Sequence, residues 1–375
     1  MLDFVERFGI SSQELSKMTD RAVRNSIQNM TMQRLQYLME SDNPIIMNKP
    51  IEKIAVLTSG GNSSGMNDAI RSVVRTAIFN GVKVVGVRYG FKGLLKGDFI
   101  NMTVRNVCDI IHRGGTKLYT ARCPQFKEKA SVLKAVEIAK QHGIDAVVII
   151  GGDGSFRGAR DLTNNGLPCV AVPATIDNDI DCTDYTIGFD TALNAVQYCV
   201  DNHRDTIESH SRCSVIEVMG ARSGHLALEA GIAVGATSIL IPEIPYDIQK
   251  DVIDKIRRTK ATGKHHFIII VAEGIRFRDG ITVEDIAREI RKHTRIETRA
   301  TVLGHVQRGG SPTVRDRVMG SYMGNKAVHL LLNGACNRVV VMHNNQIMDF
   351  DINKALEMEK GIDEELYRCA MEISL

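Results

Sequence analysis

The chain has 375 residues, 43% of them hydrophobic, which is enough to build two compact lobes with cores of their own. Its formal net charge of +3 is small and both signs are spread along the chain, so nothing in the charge balance calls for a nucleic-acid or membrane partner. Eight scattered cysteines without a CxxC pair argue against a zinc site and for a reducing, cytoplasmic setting.

Residues 1–50 come first. Leu15, Met18, Val23, Ile27, Met30, Leu35 and Leu38 roughly keep a helical period. They predict a helical arm, either loosely attached or packed on a neighbouring subunit or regulatory surface. Asp3 and Glu6 argue against a signal peptide.

From there, strand-like apolar runs alternate with helix-period stretches. The runs are 54–58, 82–87, 146–150, 169–172, 214–218, 238–241, 267–271 and 338–342. This alternation predicts an α/β fold with mostly parallel sheets. Open sheets of that kind hold their ligands at strand C-termini, and the informative motifs sit there.

After the first run comes Ser59-Gly60-Gly61-Asn62-Ser63-Ser64-Gly65 and the start of a helix, a general anion site. After the third comes Gly151-Gly152-Asp153-Gly154-Ser155, glycine backbone that can approach phosphate beside one carboxylate able to hold Mg²⁺. After the fourth comes Thr175-Ile176-Asp177-Asn178-Asp179, two acids two residues apart, a proton acceptor and a helper. Phosphoryl transfer needs these parts, because its catalysis is mostly positioning and charge neutralisation.

With the segment from Glu297 to Pro312, which contains Gly304-His305-Val306-Gln307-Arg308-Gly309-Gly310, the chain from about residue 51 onward resembles the ATP-dependent, bacterial-type 6-phosphofructokinases, with an extra N-terminal segment. Arg122, Asp184-Tyr185-Thr186-Ile187-Gly188 and Glu217-Val218-Met219-Gly220 belong to the same resemblance. It implies two stacked Rossmann-like lobes. A nucleotide lobe would hold 51–187 and 306–352, a sugar-phosphate lobe 188–305, and the tail 353–375 would lie on the latter.

The resemblance also implies site residues. Asp177 would be the general base, with Asp179, Thr175 and Arg122 assisting. Gly61, Arg122, Cys123, Gly152, Asp153, Gly154 and Ser155 would line ATP, with Asp153 on Mg²⁺. Thr175, Ile176, Asp177, Arg212, Met219, Gly220, Ala221, Glu273, Arg299, His305 and Arg308 would bind fructose 6-phosphate. Among these, Arg212, Arg299, His305 and Arg308 would clamp its phosphate. In relatives Arg212 and Arg299 reach across from the adjacent subunit, implying a homotetramer. Arg71, Arg75, Arg105 and Lys264 match a basic effector site, although its acidic metal position is Thr237 here.

Three positions depart from the family pattern: Asn62 replaces an aspartate, Ala221 an arginine, and Ala174 a glycine. Arg222 is not expected to stand in for the missing arginine, since one step along a helix turns a side chain by about 100°. The expected reaction is phosphorylation of fructose 6-phosphate at its 1-hydroxyl by ATP. A weakened regulatory paralogue or a pyrophosphate-dependent enzyme are the alternatives. Gly154 speaks for ATP, because pyrophosphate-using relatives carry an aspartate there.

Overall fold

The computed structural model describes residues 50–374. The expected N-terminal helical arm lies outside the described residues. Among the described residues eleven strands form two sheets, and nearly every run of continuous apolar sequence supplies a strand buried on both faces.

The larger sheet has the order β11-β10-β5-β4-β1-β2-β3. Its strands are β1 Lys53–Thr58, β2 Lys83–Val87, β3 Phe99–Met102, β4 Ala146–Gly151, β5 Cys169–Pro173, β10 Arg338–His343 and β11 Gln346–Asp351. The smaller sheet, β7-β8-β6-β9, is wholly parallel. It contains β6 Cys213–Val218, β7 Ser238–Leu240, β8 Phe267–Ala272 and β9 Thr298–Val302. In the larger sheet only β3 and β11, the two edges, pair antiparallel.

The principal helices are α1 Met66–Phe79, α2 Lys129–Gln141, α3 Asp153–Asn164, α4 Phe189–Ser209, α5 His225–Ala233, α6 Val283–Thr294, α7 Val314–Leu332 and α8 Glu364–Ile373. Alternate residues of β1 and β4 point to opposite faces, as a pleat requires. Ile54, Val56, Val148 and Ile150 pack with Met66, Ile70 and Met323 of α1 and α7. Ala55, Leu57, Val147 and Ile149 pack on the other side with Val132 and Val136 of α2 and Phe156 of α3. The smaller sheet is covered in the same way, by α4 and α5 on one face and α6 on the other.

The eight sequence-predicted strands are all present, with ends shifted by a residue or so. Strands β3, β9 and β11 are additional. Among the described residues no helix is long and apolar enough to cross a membrane.

Candidate active site

Both sheets direct the C-terminal ends of their parallel strands toward one region. There, a cleft of about 600 Å³ is lined by Gly60, Gly61, Arg122, Cys123, Gly152, Asp153, Gly154, Ser155, Thr175, Asp177, Asp179 and Arg308, among others. The catalytic and nucleotide-site residues expected from sequence are therefore neighbours in space.

Each loop has a local reason for its shape. Gly65, with φ of 106°, caps α1 in the left-handed region; a Cβ there would fall 2.5 Å from Ile187 Cγ2. Gly152 precedes α3 in extended conformation, so the unpaired amides at the start of α3 open toward the cleft with Asp153 in its first turn. In the Asp177 turn, Thr175 Oγ1 accepts the Asp177 amide at 3.2 Å, and Asn178 takes the left-handed conformation at φ 48°.

Asp177 is 8% exposed, and its Oδ1 has no hydrogen-bond partner. The nearest cation is the Arg308 guanidinium, at 4.0 Å. Burial pushes the Asp177 carboxyl above its ordinary value; Arg308 opposes the shift and Glu273 adds to it. Asp179, at the solvent-facing mouth, is pushed up to about 6 by loss of bulk water around it and by the charges of Asp177, Asp153 and Asp181.

Arg308 turns into the cleft, 4.0 Å from Asp177, and a Cβ on Gly61 would lie 2.7 Å from its Nη1. Asn62 explains part of this. Its side-chain amide donates to the Arg308 carbonyl at 3.0 Å, and Arg308 Nη1 donates to the Asn62 carbonyl at 3.3 Å. A carboxylate at position 62 could not make the first of these bonds. The departure at Asn62 thus ties the glycine loop to the turn at 304–308.

A second cluster stands beside Asp177. Glu273 Oε1 accepts the amides of Gly220 at 3.2 Å and Ala221 at 2.8 Å, and Gln307 Oε1 accepts that of Met219 at 3.1 Å. Ser223 Oγ donates to the Asp177 carbonyl at 3.3 Å. Ala221 sits at φ 53°, and α5 begins only at His225. The helical argument about Arg222 therefore does not apply: residues 219–224 form a turn, and Arg222 is exposed on it. His305 is exposed on the neighbouring turn. The Ile176 side chain is fully buried in the core.

Arg212 and Arg299 do not join this site. They stand at the opposite, N-terminal ends of β6 and β9, where both pair with Glu297 at 2.9 and 2.7 Å. That is roughly 15–20 Å along the strands from the Glu273 cluster. Of the basic effector set, Arg71 and Arg75 lie on α1, and Arg75 Nη2 reaches 3.8 Å from Cys108 Sγ, next to the turn that carries Arg105. Lys264 lies apart on the smaller sheet's side, just before β8. Thr237 is buried.

Among the described residues no group of three or more His, Cys, Asp or Glu side chains converges to hold a metal. Mg²⁺ carried on nucleotide phosphates needs only one or two carboxylates. Asp153 suits that role: it is exposed in the cleft and held at 3.0 Å by Arg157. A cation there would also offset the crowding of Asp153, Asp177, Asp179 and Asp181. Sequence reasoning missed Arg157, Gln307 and Ser223, whose roles depend on which segments meet.

The Phosphofructokinase family model matches residues 53–331. The chain is 53% identical over 325 residues to the ATP-dependent 6-phosphofructokinase of Bacillus mycoides, covering 87% of this chain and all of that protein. It is 52% identical, with the same coverage, to that of Bacillus thuringiensis. Among solved structures, a phosphofructokinase from Saccharomyces cerevisiae superposes with a TM-score of 0.77 at 33% identity, over 86% of this chain and 48% of that longer one. A pyrophosphate-dependent phosphofructokinase from Marinobacter aquaeolei shares the fold, with a TM-score of 0.75 at 22% identity.

Proposed function

The chain belongs to the phosphofructokinase family, and from that premise we propose that it transfers the terminal phosphoryl group of ATP to the 1-hydroxyl of fructose 6-phosphate. The product is fructose 1,6-bisphosphate, and the enzyme is a kinase of glycolysis. The observation that carries the reading is Asp177, a buried carboxylate with an unpartnered Oδ1, in a cleft shared with the glycine loops and three arginines, Arg122, Arg157 and Arg308.

Each residue has a physical task. Gly61, Gly152, Gly154 and Ser155 let backbone amides approach the triphosphate, and Cys123 lines the same wall. Asp153 holds the Mg²⁺ that arrives with ATP, an ion that neutralises phosphate charge. Asp177 takes the proton from the sugar hydroxyl as the new P–O bond forms. Arg122 and Arg308 flank the transferring group, where fixed guanidinium groups stabilise developing charge. Thr175 and Asp179 keep the base in place. Met219, Gly220, Ala221, Glu273 and His305 form the acceptor side. The nucleotide lobe is 51–187 with 306–352, and the sugar lobe is 188–305 with the tail from 353.

Purified protein assayed with fructose 6-phosphate should turn over with Mg·ATP and scarcely at all with pyrophosphate. No turnover with ATP would overturn the reading.

Arg212 and Arg299 complete a neighbouring subunit's site, since their own chain leaves them at the far end of the sheet. The working enzyme is accordingly a homo-oligomer, a tetramer by family resemblance. Mixing Asp177→Ser subunits with Arg299→Ala subunits should restore part of the activity, because some sites in the hybrid combine an intact base with an intact arginine. No recovery from demonstrably mixed oligomers would refute the shared site. An anionic effector near Arg71, Arg75 and Arg105, with Lys264 supplied from elsewhere, belongs to the same proposal.

A further inference from the structure

Asp316, in the first turn of α7, does not line the cleft. It is nevertheless fully buried, and its two oxygens accept four hydrogen bonds. Oδ1 takes the Tyr185 hydroxyl and the Gly188 amide, both at 2.6 Å; Oδ2 takes the Thr191 amide at 2.9 Å and its hydroxyl at 2.5 Å. All four donors lie in one short segment, 185–191. A carboxylate that accepts two backbone amides and two hydroxyls matches that donor set only when ionised.

Two links leave the pinned segment. Toward the base, Thr186 Oγ1 donates to the Thr175 carbonyl at 2.7 Å and lies 3.3 Å from Asn178 Oδ1. Ile187 bridges Ala174. These contacts hold both flanks of Asp177. Toward the donor loop, Ser63 Oγ donates to the Ile187 carbonyl at 2.8 Å, and a Cβ on Gly188 would fall 2.3 Å from Ser63 Cβ. The surroundings are polar but closed. The Arg315 guanidinium lies 4.3 Å from the Tyr185 ring centroid, and Asp68 of α1, fully buried, has neither carboxylate oxygen bonded. Arg317 and Arg71 also act on Asp68.

We propose that Asp316 is a positioning residue for phosphoryl transfer: by pinning segment 185–191 it fixes, through Thr186, the turn that aims Asp177. The inference rests on Asp177 being the base. Asp316 touches no substrate and works only through that turn.

The test is a double-mutant cycle read in single-turnover transfer from γ-labelled ATP. Asp316→Asn keeps the side-chain volume but sets an NH₂ against donors. In the wild-type background it should lower the transfer rate about 10- to 100-fold, the cost of misplacing a reacting group by about an ångström. Binding of a non-hydrolysable ATP analogue should stay within about threefold. In the Asp177→Ser background the same change should cost little, because nothing remains to be aimed. An equal fold-loss in both backgrounds would overturn the proposal and leave Asp316 a purely structural residue. Thr186→Val cuts only the link to the base and keeps the Asp316 bonds, so it serves if Asp316→Asn fails to fold. It should reproduce the rate loss with analogue binding kept, and full activity in Thr186→Val would overturn the proposal. An Asp177→Ser enzyme that retained wild-type transfer would instead remove the base assignment itself, a separate result.

Discussion

Asp177→Ser should abolish most turnover while leaving a folded protein that still binds fructose 6-phosphate. The base acts on the reacting hydroxyl and not on the sugar's 6-phosphate, so the loss should fall on kcat rather than on KM. Removing a general base costs about 10²–10⁴ in rate. Stability should move the other way. Asp177 is a buried carboxylate with an unsatisfied Oδ1 and a single cation 4.0 Å away. A smaller neutral hydroxyl relieves that desolvation, so the melting temperature should hold or rise. A variant that keeps half its turnover would remove Asp177 from the role.

The wild-type pH profile offers a second view of the same group. Asp177 must be ionised to accept a proton, and burial raises its pKa. Activity should therefore fall on acidification from a higher pH than an ordinary aspartate would give. A raised pKa also brings the base closer to the working pH, where proton transfer is better matched. The acid limb should vanish from the residual activity of Asp177→Ser.

How much of this was legible in the sequence depended on distance along the chain. The strands read directly were buried on both faces, such as β4 and β8, whose six positions are all interior. Strand β9 escaped because Thr298 is its one buried residue, and β11 because it is a half-exposed antiparallel edge. Periodicity cannot signal a strand that buries so little. The Gly151–Ser155 and Thr175–Asp179 motifs were legible because the residues that cooperate are adjacent. The bond between Asn62 and Arg308 spans 246 positions, and that from Tyr185 to Asp316 spans 131. No local pattern announces such pairs. Arg212 and Arg299 gave no signal of their own, and only the family resemblance singled them out. The turn at Ala221 was hidden for a different reason: an alanine with positive φ looks from sequence like an ordinary helix former.

Gly154→Asp should impair the use of ATP far more than that of pyrophosphate. Nothing in the protein lies within 4 Å of a Cβ built at this position, and its backbone is helical rather than left-handed, so the substitution introduces neither clash nor strain. An acid in the first turn of α3 is also favourable to the helix dipole. The fold should survive, which makes kinetics the informative readout. The new carboxylate would project into the donor cleft beside Asp153, where it would crowd and repel the α-phosphate of a nucleotide. Pyrophosphate has no phosphate at that place and escapes the repulsion. Two like charges about 4 Å apart at an effective dielectric near 20 repel by roughly 4 kcal/mol, an upper bound at so open a site. Solvent screening reduces this to a loss of about 10- to 100-fold in kcat/KM for ATP. Equal loss with both donors would indicate general damage to the loop. Undiminished use of ATP would show that Gly154 does not face the donor, and would leave the preference for ATP to be sought in Ala174 or Arg157.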